Sequence, residues 1–189
     1  MRPITLLALA GLLAACGSTP PTRYYTLTTT DGPVLAATRG AQIRVDAVTI
    51  PAELDRPQLV RQTDATRVEV ASLDRWAAPV DEQIRRVLAS DLTRRLPGRV
   101  LGVGAPAVPA GTLAVAVDID RFEGGPDGHV VLEASWSLVA DGQARLRRSE
   151  RVEAEAGAAD IDRMPGAMSE ALGRLADRIA RQIADSADR

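Results

Sequence analysis

The chain has 189 residues with 23 basic side chains, all Arg, against 25 acidic ones, and a formal charge of −2. Apolar residues make up 46% and aromatics only 3%, so one domain can build a core, and mainly from aliphatic side chains. With no Lys, one His and one Cys, Schiff-base chemistry, intrachain disulfides and multi-His or Cys-rich metal sites are excluded, and the balanced charge leaves no footprint for nucleic acid.

Met1-Arg2-Pro3 is a short positive start, followed by the apolar run Ile4 to Ala15. As a helix that run rises about 18 Å, too short for a hydrocarbon core of about 30 Å. Residues 1–15 therefore read as a signal peptide. The run ends in Leu13-Ala14-Ala15-Cys16, the lipobox pattern of an aliphatic residue, two small ones and Cys, which places signal cleavage between Ala15 and Cys16. Likeness to bacterial lipoproteins implies acylation of Cys16, and several acyl chains make a stable anchor where one does not. Gly17 replaces the Asp that retains such proteins at the inner membrane, which favours the outer membrane, facing the periplasm. Residues 16–22 form the acylated Cys and a short Pro-containing tether, and residues 23–189 form the domain.

Tyr24 to Thr30 is rich in β-formers and predicts a first strand, and Gln42 to Ile50 alternates as a second. Two prolines bracket a turn over Pro51 to Pro57. Leu59 to Gln62 and Arg67 to Ala71 are short strands about a polar turn. Pro79 opens a helix from Val80 to Leu96 whose apolar residues recur every three or four positions, with Asp81 and Glu82 early and Arg94 and Arg95 late. Thr112 to Phe122, His129 to Ala140 and Ala144 to Glu155 are three longer strands, the last two joined by an Asp141-Gly142 hairpin signal. A second helix runs from about Pro165 to Ser186 with Met168, Leu172, Leu175, Ile179 and Ile183 on its inner stripe. The expected class is α+β: a two-layer antiparallel sheet with two main helices packed on one face.

Candidate chemistry is thin. Asp118, Asp120, Glu123 and Asp127 form the densest acidic cluster, but they lack calcium-loop spacing and read as a solvated strand face. His129 has no partner ligand or base, and Ser135 and Ser169 lie in no nucleophile-elbow pattern. The Gly102-Val103-Gly104 turn lacks the third glycine of a dinucleotide fingerprint. No catalytic residue, metal or cofactor is assigned. Two segments carry interaction readings instead. Leu54-Asp55-Arg56-Pro57-Gln58 is a Pro-stiffened charged loop that loses little entropy on docking. Arg75-Trp76 combines the residue types enriched in interaction hot spots; Trp76 equally reads as an anchor for the start of the first helix.

Taken in order, the lipobox, Arg23-Tyr24-Tyr25-Thr26-Leu27, Ile50-Pro51 with Leu54 to Val60, Arg75-Trp76-Ala77-Ala78-Pro79, Phe122-Glu123, Trp136 and the segment Met168 to Ala180 resemble the ABC-type transport auxiliary lipoproteins, the paraquat-inducible protein C group. The resemblance implies a non-enzymatic outer-membrane component of an envelope lipid transporter that docks a periplasmic MCE-domain protein. A ring-shaped conduit partner is compatible with self-association. Two other readings stand beside it: a lipoprotein assisting assembly of an outer-membrane barrel or of lipopolysaccharide, and a lipid-anchored hydrolase.

Overall fold

A computed structural model describes residues 20–35, 40–157 and 160–187; the expected signal peptide, Cys16 and the first residues of the expected tether lie outside them. The elements are β1 (Arg23–Tyr25), β2 (Ile43–Thr49), β3 (Gln58–Asp64), β4 (Arg67–Trp76), α1 (Val80–Arg95), β5 (Leu113–Gly124), β6 (His129–Ala140), β7 (Gln143–Glu155) and α2 (Met164–Ala187). Seven strands make one sheet in the order β1-β4-β3-β5-β6-β7, with β2 also paired to β5. The two helices cover one face, which is the expected α+β arrangement.

The β5-β6-β7 meander is antiparallel along its length, as period-two alternation requires of a sheet with one covered face. Asp141 and Gly142 both take positive φ, 53° and 74°, the geometry of a two-residue type I′ hairpin. The rest of the sheet makes it mixed. β2 runs parallel to the first half of β5, β3 meets the end of β5 in parallel at Arg61↔Gly124, and β1 lies parallel to β4. β6 occupies one edge of β5, so β2 and β3 share the other. Between Gln58↔Arg75 and Val60↔Val70 the register slips by three residues on β4. Such a bulge rotates the strand, and it lets both Ala71 and Trp76 enter the core.

The first strand is shorter than its composition predicts, because its backbone donors find other acceptors. After Tyr25 the chain leaves the sheet and crosses the helices. The Leu27 amide donates to Gln83 Oε1 (2.9 Å), Thr28 to Ser169 Oγ (3.1 Å) and Thr30 to Asp91 Oδ1 (2.9 Å). Side chains on α1 and α2 replace a neighbouring strand, which satisfies the same obligation to pair buried amides.

The core is aliphatic as expected. Val80, Ile84, Val87, Leu88 and Leu92 of α1 and Met168, Leu172, Leu175, Ile179 and Ile183 of α2 are all buried against Val115, Val117, Ile119, Leu132, Trp136 and Leu138. Gly173 in α2 faces the crossing segment so closely that a Cβ there would lie 1.8 Å from Thr30 Oγ1. Helix propensity alone favours Ala over Gly by about 1 kcal/mol. Gly173→Ala is instead expected to destabilise, by about 1–3 kcal/mol of overpacking, read as a lower urea midpoint. A neutral or stabilising result would mean that the segment crosses elsewhere.

Candidate docking site

The two segments singled out from the sequence, some twenty residues apart, meet at one end of β4. The Trp76 amide donates to the Pro57 carbonyl (2.7 Å), and Gln58 pairs with Arg75. The Pro51–Pro57 turn is closed by Leu54 N–H to Pro51 O (2.9 Å) and Arg56 N–H to Leu54 O (2.8 Å). Leu54 points inward and is buried, whereas Asp55 and Arg56 are exposed. Together with Trp76, Ala78, Pro79 and Val80, the residues from Asp55 to Pro57 line a groove of about 290 Å³. The groove has an apolar floor and one charge of each sign on its rim.

Trp76 is only 6% exposed, so its ring fixes the β4–α1 junction while presenting a small part of its surface to the groove. The junction is braced twice more: the Ala77 amide donates to Tyr25 O (2.8 Å), and Gln83 Nε2 donates to Ala78 O (2.8 Å). Prolines on both sides of the groove limit backbone freedom. A preformed apolar floor with an open charged rim suits a protein partner.

The sequence-derived chemical candidates are dispersed. Asp118 and Asp120 are exposed on either side of buried Ile119, and a register shift between Ile119 and Arg121 interrupts the strand there. Glu123 is held by Arg121 (2.6 Å), and the exposed Asp118 carboxylate lies 4.0 Å from Arg147. Among the described residues, no group of three or more His, Cys, Asp or Glu can hold a metal ion. Ser169 Oγ donates to Pro165 O (2.7 Å) within α2, so it is engaged as a structural hydroxyl.

Two polar clusters escaped sequence reasoning. At the start of the domain, the Tyr25 hydroxyl lies 2.9 Å from Asp74 Oδ1 and 2.5 Å from Asp162 Oδ1. Arg23 reaches both carboxylates, at 2.7 and 2.6 Å. Burial, followed by the two carboxylates, pushes the Tyr25 hydroxyl well above the usual tyrosine range, so it stays a proton donor. This clasp ties the first strand to the loop before α2. The second cluster surrounds Arg95, which the helix-dipole pattern places on the surface. Its guanidinium is 1% exposed and bonds Asp177, the Asp91 carbonyl (3.1 Å) and Gly173 O (3.1 Å). One signal was present: Asp91 and Arg95 fall on the same face as Ile84, Leu88 and Leu92, where a charge must be buried and paired.

This fold, with its clasped N-terminal segment and its preformed groove, accords with the family comparison. The chain belongs to the family described as the ABC-type transport auxiliary lipoprotein component, whose family model matches residues 25–180. It is 31% identical over 182 residues to the intermembrane transport lipoprotein PqiC of Escherichia coli (strain K12), spanning 94% of this chain and 96% of that protein. The protein of the same name from Shigella flexneri matches to the same extent. A crystal structure of an uncharacterized protein superposes with a TM-score of 0.71 at 26% identity, covering 87% of this chain and 99% of that one. A solved protein from Xanthomonas campestris shares the fold at 17% identity, with a TM-score of 0.71 over 88% of this chain and 98% of its own. No helix among the described residues is long and apolar enough to cross a membrane.

Proposed function

We propose that this lipoprotein is the docking subunit of an envelope lipid transporter, held at the outer membrane by acylated Cys16 and receiving a periplasmic MCE-domain protein in the Trp76 groove. Family membership supports the transport role. The convergence of Asp55, Arg56, Pro57 and Trp76 on one preformed groove carries the docking assignment. The groove uses binding chemistry only: an apolar floor to be covered, and rim charges that steer a partner and set its register. The protein acts by position, holding one component of a conduit at a membrane, and not by turnover.

Exposure decides which variants test this. Trp76 is buried enough that truncating it would unsettle the fold, so its loss would not isolate docking. Asp55 and Arg56 are exposed, and their charges can be reversed without touching the core. Arg56→Glu is expected to weaken association of the purified full-length protein with a periplasmic MCE-domain protein of the same organism by about tenfold, or 1.4 kcal/mol. Reversal of Arg86, exposed on α1, should leave binding unchanged. Biolayer interferometry in mild detergent reads both. Wild-type protein that never associates with the MCE protein sinks the assignment.

A further inference from the structure

Parallel pairing of β1 with β4 fixes the direction in which the chain leaves the sheet on its N-terminal side. In a parallel pair the two N-terminal ends lie together, and the N-terminal end of β4 is the turn of the β3–β4 hairpin. The tether therefore leaves Arg23 toward that turn. Pro20 and Pro21 lie along this path: they share a cavity of about 560 Å³ with Glu69, Ala71 and Ser72, on the side of β4 beyond its three-residue pairing with β1. The Arg23–Tyr25–Asp74–Asp162 clasp holds the start of that path.

The lengths then match. Tyr24 and Gln58 are both level with Arg75, and β3 runs six residues from Gln58 to Asp64, or about 20 Å. Cys16 precedes Tyr24 by eight residues, which a Pro-stiffened chain at about 3.1 Å per residue extends to about 25 Å. At that length the tether outreaches the hairpin by about 5 Å, no more than the thickness of one polar headgroup layer at about 5–8 Å. Any bend brings the hairpin closer.

We infer that the β3–β4 turn, residues Asp64 to Arg67, rests in the phospholipid headgroup layer, so that the hairpin is a second membrane contact setting the tilt of the domain. This inference rests on acylation of Cys16. The hairpin suits the place. It projects three residues, Gln62 to Asp64, beyond the end of β5, since Arg61 is the residue level with Gly124. Its charges are paired, Arg67 with Asp64 (3.3 Å) and Arg61 with Glu69 (2.7 Å), so it carries no net charge to be repelled by anionic lipid. Val68 and Val70 are 55% and 42% exposed, leaving apolar surface beside the turn. The Trp76 groove lies at the other end of β4, about 20 Å away, so membrane and partner occupy opposite ends of one hairpin.

Acylation blocks the native thiol, so a single introduced cysteine is the only labelling site. Full-length Ala65→Cys and Gln143→Cys proteins carry an environment-sensitive dye and are reconstituted in phosphatidylethanolamine–phosphatidylglycerol vesicles. A phospholipid bearing a nitroxide on its headgroup is the quencher. Position 65 is in the hairpin turn; position 143 follows the β6–β7 turn at the opposite end of the sheet. Quenching of most emission at 65 and none at 143 is the expected result, with Thr66→Cys reproducing position 65. Acylated, vesicle-bound protein with equal, weak quenching at both positions overturns the inference and leaves the anchor intact. A native mass without added acyl chains overturns the Cys16 reading and the inference with it. A dye response at 65 that follows protein concentration in the absence of vesicles assigns the turn to a second copy of the chain, and also overturns it.

Discussion

Replacing Arg95 with Met is expected to cost about 3–5 kcal/mol, the range for breaking a buried ion pair from one side. Arg95 links three parts of the molecule: α1, on which it sits; α2, through Asp177 and the Gly173 carbonyl; and the crossing segment, through the Thr30 carbonyl (3.3 Å). Asp91, one turn earlier, is fully buried with its carboxylate 3.5 Å from Arg95 and 2.9 Å from the Thr30 amide, and its Oδ2 has no partner among the described residues. Without the guanidinium, Asp91 keeps a buried charge that only one amide stabilises. Adding Asp91→Asn to Arg95→Met removes that charge and should recover part of the loss, which a double-mutant cycle measures. Equal instability of the single and double variants would mean that packing, not charge, sets the cost.

The same cluster has a pH signature whose sign is opposite to that of a salt-bridged carboxylate. Burial is the largest influence on Asp91 and raises its pKa above the ordinary 3.8, outweighing the Thr30 amide and Arg95 that lower it. The folded chain then keeps a proton on Asp91 to higher pH than the unfolded chain does. Its contribution to stability is complete below about pH 4 and is lost as the pH rises through the folded value. The stability of wild type relative to Asp91→Asn should fall as the pH rises above about 4, as followed by urea midpoints of the detergent-solubilised protein.

What could be read from the sequence divides along physical lines. Both helices are legible because their apolar stripes repeat at helical spacing, and the β5-β6-β7 meander because alternation and an Asp-Gly turn are local signals. The parallel pairings are not, since they join segments that no turn connects and depend on which edge of β5 remains open. The crossing segment from Thr26 to Thr30 has the composition of a strand, yet its amides are satisfied by Gln83, Ser169 and Asp91, whose side chains come within reach only when both helices are placed. The residues proposed for docking are legible as two separate segments; that they form one groove follows from the Gln58↔Arg75 pairing. Leu54, grouped with them for its position, serves the core instead.

Trp136→Ala is expected to cost about 3–5 kcal/mol, and its comparison with Trp136→Phe separates two opposing contributions. Trp136 lies mid-strand in β6, paired with Val117 on one side and Arg148 on the other, and is 1% exposed. In a chain with 3% aromatics, it supplies volume that aliphatic neighbours cannot replace, so truncation leaves a cavity at the centre of the sheet. Its indole Nε1–H, however, is buried without an acceptor among the described residues, and an unpaired buried donor costs about 1–3 kcal/mol. Phe keeps most of the ring and discards that donor. Trp136→Phe should therefore lose less than about 1.5 kcal/mol, at most half the cost of the Ala variant. Urea unfolding with an unchanged m-value measures both on one scale. Equal losses for Phe and Ala would show that the indole N–H is bonded in solution and that the donor stabilises the core.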